Sequence, residues 1–547
     1  MKKIFHNRTE SGSHTRLKAD VCRHYVLGQK IIFGRNFLSH ILSVIALILV
    51  GTACNKRLNQ APISSATTQT FYKSPSDFIQ GVNAVYADLR GYPDRVQFLS
   101  EVRSDNIYGV SVAVRDWDPI NDFSPGIAPN TYVEEAWNTD FNGIFRANTI
   151  LDQLAKNGTN VGSASLVTRL QAEAMFLRAF YYFDLVRYFG KLPVIDHPVT
   201  LDEANKVKQS SVADVYKLII SDLQYAIANL PAAYTGVDVG RVTKYAAEGI
   251  LARVYMARSG PNYGINGPGL ASNEWSQALP LIQDIIGSGQ FAFNPSYANI
   301  FSYANQSPVA TGNKEAIFDV MFLSGISGTT TSLVGTYGAD FPWQLTPSGY
   351  FLSLKDTKSN GSLEIIPVSN DLVKDYEPGD LRLASTIYTA GYTSAGSTET
   401  RPFFKKWVDI TKIPSASRFD WGINFIALRY TDILMMKAEC ILNGAPGSQS
   451  DVDGIINQVR NRAGLAAKSG FTLAQLYDER RKEFADEGSR WFDLQRSGNL
   501  LTVMNNWISV EDVQKRINQV TANYIIYPVP QSQLDAAPGL YSQNLGY

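Results

Sequence analysis

Tyr245-Ala246-Ala247-Glu248-Gly249-Ile250-Leu251-Ala252-Arg253-Val254-Tyr255 is the stretch on which the fold turns. Ala246, Ala247, Gly249 and Ala252 make its faces small, so a neighbouring helix can approach closely, while Tyr245, Ile250 and Leu251 supply bulk to interlock with it. Helical periodicity extends on both sides of it. It starts at Ser76-Asp77 and runs to about Arg90 through Phe78, Val82, Val85, Tyr86 and Leu89. A second helix is predicted over 134–156, with Trp137, Phe141, Ile144, Phe145, Ile150 and Leu151 on one face. A third covers 165–189 and is closed by Gly190 and Pro193, a stop signal. Further helices are predicted over 212–230, 242–259 and 275–286, and again over 425–442, 449–462 and 473–487.

Helix pairs of this size, with small and aromatic residues interlocking, resemble tetratricopeptide repeats, although no strict 34-residue period holds. A plain helical bundle is the alternative. Between 260 and 424 the character changes to Gly, Pro, Ser, Thr and aromatics, with strand-like runs at 316–321 and 383–388. The expected architecture is therefore mostly α: an N-terminal helical part (71–259), a loop-rich insertion with short strands (260–424) and a C-terminal helical part (425–547), all one domain. Loops on a rigid scaffold are where binding residues usually sit.

Composition narrows the function. Of 547 residues, 45% are apolar and 18% charged, which excludes disorder and leaves material for a large core. Acidic and basic residues balance at 50 each, but residues 1–53 hold 8 basic and 2 acidic, leaving the rest at net −6. A mildly acidic body lacks the basic face that non-specific nucleic-acid binding needs. Four of the five histidines (His6, His14, His24, His40) lie in that leader, which leaves His197 and excludes a two-histidine zinc site. His197 sits in Val194-Ile195-Asp196-His197-Pro198, a strand end running into a turn, and reads as loop filler rather than a catalytic base. Cys22, Cys54 and Cys440 form no pairing framework. Cys440 reads as a small buried hydrophobe.

The N-terminus is an address. Residues 37–50 (FLSHILSVIALILV) follow Lys30 and Arg35, with the length of a signal-peptide core and too little to span a bilayer. Gly51-Thr52-Ala53-Cys54 then resembles a bacterial lipobox, with Gly51 where Leu is commoner, so Cys54 is expected to be lipidated and 54–70 to be a tether. An ordinary secretory signal with a chance cysteine is the alternative. The first 25 or so residues are too polar and long for a normal n-region, which points to a translation start near Val26 or Leu27.

The C-terminal third holds Arg429-Tyr430-Thr431-Asp432-Ile433-Leu434-Met435-Met436-Lys437-Ala438-Glu439 and Arg460-Asn461-Arg462-Ala463-Gly464-Leu465. Glu479-Arg480-Arg481-Lys482-Glu483-Phe484 and Glu487-Gly488-Ser489-Arg490-Trp491-Phe492-Asp493-Leu494 follow. With Gly190-Lys191-Leu192-Pro193 upstream, Tyr527-Pro528-Val529-Pro530 and the ending Gln543-Asn544-Leu545-Gly546-Tyr547, the chain from Cys54 onward resembles the SusD/RagB family of Bacteroidetes surface lipoproteins. The resemblance implies no catalysis and no cofactor. It implies an outer-membrane, lipid-anchored protein that binds a nutrient, an oligosaccharide above all. Such a protein acts as lid and delivery partner of a SusC-like TonB-dependent transporter. Bound Ca2+ has no support in the sequence. Asn55-Lys56-Arg57 lacks the acidic run that often marks surface export, which leaves the periplasmic face open.

Read physically, the 479–494 motif is structural. Leu473, Leu476, Tyr477 and Phe484 form a core face, Asp478 can pair with Lys482, Gly488 can end the helix left-handed, and Trp491 and Phe492 fold back onto the bundle. A sugar site needs a flat aromatic beside amide, carboxylate or guanidinium groups. The candidates are Asp105 and Asn106 with Arg115 and Trp117, then Tyr337, Phe341 and Trp343, then Trp407 and Trp421. Burial under a loop is the competing reading of each Trp. The rival functions are a glycoside hydrolase, which needs two suitably spaced carboxylates, and a helical scaffold that binds the transporter alone.

Overall fold

Helix starts are written in short polar residues. The computed structural model describes residues 71–109, 115–306, 314–325, 337–355, 365–413 and 420–547. The leader, Cys54 and the tether lie outside the described residues. Ser74 and Asp77 close a capping box ahead of α1 (Pro75–Ala87), and the short α2 (Tyr92–Val96) follows. Asn130 accepts the Tyr132 and Val133 amides at the start of α3 (Thr131–Asn157). Each cap satisfies donors that the helix itself cannot.

α4 (Ala164–Phe189) is the axis of the N-terminal part, buried at every residue from Phe176 to Phe189. A helix that reads apolar all round is one that others surround. α3 lies along one side of it and α5 (Val212–Asn229) along another; α6 (Lys244–Ser259) packs on α5, and α7 (Trp275–Gly287) on α6. The row of neighbours is the helical-repeat scaffold that the stretch at 245–255 predicts. Its small face is used: Ala246, Ala247 and Ala252 are fully buried, and a Cβ at Gly249 would come within 2.4 Å of Leu428.

The insertion contributes the strand Ala316–Val320 and the short α8 (Phe341–Leu345). The strand pairs antiparallel with Phe425–Arg429, with a β-bulge on either side of Phe318. Here the sequence reading needs correction. Residues 425–429 are a strand, buried at every position, because they pair with 316–320; the helix expected from 425 begins at α9 (Tyr430–Leu442). The run 383–388 is strand only at Ile387–Tyr388, since Asp380 caps a turn of helix over Leu381–Thr386. α9 packs on α7 and on α10 (Gln449–Arg462), continuing the row across the insertion. α11 (Leu473–Phe484) stops three residues before the predicted 487, because Asp486 and Gly488 take φ of +69° and +72°. A side chain at Gly488 would strike Val96, 2.3 Å from its Cβ. α12 (Arg490–Ser497) then returns Trp491 and Phe492 to the core. Among the described residues no helix is long and apolar enough to cross a membrane.

Candidate functional site

The motif residues form an ion-pair core. Glu483, fully buried on α11, takes Arg429 (2.9 Å), Arg462 and Arg382 (3.3 Å). Arg462 also holds Glu315 (2.7 Å), Arg429 holds Glu487 (2.7 Å) and Arg382 holds Glu479 (2.6 Å). Burial alone would raise the Glu483 carboxyl, but Arg462, Arg429 and Arg382 outweigh it and hold it at about 2. Lys482, expected to pair with Asp478, reaches Asp375 at 3.8 Å. Each of these carboxylates is paired with an arginine, and the pairs tie the C-terminal helices to the insertion.

This core also absorbs two residues predicted to bind ligand. Arg490 grips Asp105 with two bonds of 2.8 and 2.7 Å, and Arg481 bonds the Asn106 amide oxygen at 3.0 Å. Against the cost of burial, Arg481 and Arg490 hold the Asp105 carboxyl at about 2. Both residues are structural. The tryptophans are corrected as well. Trp407 donates its indole N–H to the Asp486 carbonyl (2.8 Å) and packs among Phe301, Phe341 and Phe425, which places Phe341 inside too. Trp421 is fully buried beside Phe351, its backbone paired with Ala339. Trp117 and Trp343 keep 6% of their surface, too little for a sugar to stack on. The physical reason is common to all: an indole gains more from a packed core than a short loop can offer it on the outside. His197 is exposed beside Asp196, and Cys440 is buried, its thiol pushed up by burial.

Tyr337 is different. It is 58% exposed, and its carbonyl accepts the Leu323 amide at 2.8 Å, which ties it to the residues that follow the strand Ala316–Val320. Three residues on, Asp340 opens α8. Gln344 on the same helix donates to Asp94 of α2 (3.1 Å) and to Asp340 (3.5 Å). Asp94 and Asp340 are neighbours; burial and their mutual repulsion push Asp94 well up, and burial pushes Asp340 up. Tyr132, half-buried at the start of α3, stacks on Phe98 at 3.9 Å between ring centres. Burial first, then the charges of Asp94, Asp116, Glu135 and Asp340, push its hydroxyl upward.

The loop of Arg115 and Asp116 and the segment from Tyr337 to Gln344 therefore converge, as neither motif nor spacing required. Arg115 is half-buried there, and its amide donates to Asp118 (2.9 Å). Around Tyr132 gather Asp94, Asp116, Glu135, Asp340 and Gln344; Asp116 and Glu135 are exposed, while Asp94, Asp340, Gln344 and Tyr132 itself are half-buried. Tyr132, Asp94, Glu135, Asp340 and Gln344 carried no signal in the sequence, because they come from three separate segments. Among the described residues no group of three or more His, Cys, Asp or Glu side chains is arranged to hold a metal ion.

Residues 62–256 match a family described as starch-binding and associating with the outer membrane, and residues 247–547 match the SusD family. The chain belongs to the SusD family. A SusD-like protein of Formosa agariphila is 26% identical over 93% of this chain and 99% of its own length. Surface glycan-binding protein A from Bacteroides fluxus superposes with a TM-score of 0.73 at 24% identity, covering 86% of this chain and 99% of that one. The protein of the same name from Bacteroides thetaiotaomicron, in complex with laminarihexaose, gives 0.72 at 23% identity, covering 86% and 99%.

Proposed function

We propose that this protein is a non-catalytic glycan-binding lipoprotein, and that the Tyr337 face takes a neutral oligosaccharide. The observation that carries the reading is the exposed Tyr337, three residues before the Asp340 that joins Asp94, Gln344 and Tyr132 in one polar cluster. An aromatic face accepts the C–H face of a sugar, and carboxylates and amides accept its hydroxyls. Four acidic groups around Tyr132 oppose a polyanionic chain, which favours an uncharged glycan. The laminarihexaose complex of the Bacteroides thetaiotaomicron relative supports a glucan as the first ligand to try. Family membership supports an outer-membrane location through Cys54 and delivery to a SusC-like TonB-dependent transporter.

Calorimetric titration of the protein lacking residues 1–54 with laminarihexaose, maltohexaose and an alginate oligomer tests this. Binding of a neutral glucan without release of reducing ends is expected. Release of reducing ends would replace the reading with a hydrolase, and silence with all three would refute the neutral-glucan assignment. Co-purification of a TonB-dependent barrel with the full-length protein from its native membrane tests the partner.

A further inference from the structure

From Leu323 the exposed strip continues back along the chain. Val320 and Phe322 point inward and are buried, so Asp319, Met321 and Leu323 face the other way, and Met321 and Leu323 are exposed. The bulge between Phe318 and Asp319 re-aims the strand at that point. Asp319 and Met321 line two adjoining grooves of about 310 and 170 Å3, which also share Val239, Gly240 and Arg241. The larger is at the lower end of the range for small-ligand sites, about 300–1,000 Å3. Val237 and Val239, both exposed, form an apolar wall.

The floor is polar. Among the described residues Asp319 receives only a long contact from the Asn424 amide (3.5 Å) on one oxygen; the other is buried without a hydrogen-bond partner among them. Burial raises this carboxyl to about 7, so near neutrality it donates as well as accepts. The Arg241 guanidinium on the wall is already bonded to Glu173, Asp238 and Asn83, so the groove offers no free cation for an anionic ligand from that side chain.

We propose that this groove is a second glycan subsite, continuous with the Tyr337 face, in which further sugar units of the same chain lie on Val239 and Met321 and hydrogen-bond to Asp319. The proposal rests on the glycan-binding reading above. It predicts that affinity grows with chain length through this groove. The test compares laminaritriose and laminarihexaose by calorimetry on the wild type, on Asn83→Trp, which fills the groove mouth from an exposed helix position, and on Asp319→Asn. The wild type is expected to bind the hexaose about tenfold more tightly than the triose, equivalent to about 1.4 kcal/mol. Both variants should bind the triose as the wild type does and lose the gain for the hexaose. Should Asp319→Asn fail to fold, Asn83→Trp carries the test alone. Unchanged hexaose affinity in the variants overturns the second subsite and leaves the Tyr337 face standing. A wild type that binds neither sugar removes the reading and the subsite together.

Discussion

Around Glu483 three arginines close on one buried carboxylate, and every charge has an opposite charge in contact. Around Tyr132 four carboxyls gather on a half-exposed surface, and burial and mutual repulsion push Asp94 well up beside Asp340. The first arrangement is complete without a ligand. The second leaves Asp116 and Glu135 exposed and Tyr132 half-buried. Dense charge in a sequence therefore marks neither function nor structure by itself; what separates the two is whether the partners come from the protein. The residues that recur as motifs are those that the fold consumes, and the recognition surface is built from what the fold leaves over.

The strongest test of that contrast removes the hub of the ion-pair core. Glu483→Ala leaves Arg382, Arg429 and Arg462 short of a buried counter-charge, and the expected loss is on the order of 3–5 kcal/mol in chemical denaturation. Unchanged stability would mean that the network is ornamental. The acid limb of the stability curve comes next. Glu483 and Asp105 are held at about 2, below their unfolded values, so their contribution is present above about pH 4 and lost as pH falls toward 2. Each is expected to be worth on the order of 2–3 kcal/mol at neutral pH, and Glu483→Gln should flatten that limb.

On the other side of the contrast, Tyr337→Ala should weaken glucan binding ten- to a hundredfold, about 1.4–2.8 kcal/mol, with Tm unchanged. Trp407→Phe should do the reverse. It removes the bond to the Asp486 carbonyl and should cost about 1–2 kcal/mol of stability with glucan affinity unchanged. If Trp407→Phe impaired binding while Tyr337→Ala did not, the assignment of the two regions would be inverted.

Most of the scaffold was legible because helices announce themselves locally. The 165–189 helix, its Gly190 stop and the small face around Gly249 all stand where periodicity and glycine chemistry place them. The exceptions were residues 425–429, where a distant partner decided, and 381–386, where the Asp380 cap starts a turn of helix. The strand at 425–429 exists because Ala316–Val320 pairs with it, over a hundred residues away. The candidate site was legible only in part. Tyr337 and the Arg115 loop were in view, whereas Asp105, Asn106, Phe341 and the four tryptophans went to the interior.

By itself the sequence determined a helical protein with a loop-rich insertion, an acidic body after a basic leader, and the family motifs of its C-terminal third. Those properties follow from spacing, composition and local caps, which act over a few residues. Tertiary structure alone decided which aromatics reach solvent and which carboxyls meet. Burial is settled by all the elements that pack on a side chain: Asp94 and Asp340 are neighbours because α2 and α8 meet, and Trp407 and Trp421 are buried while Tyr337 stays exposed.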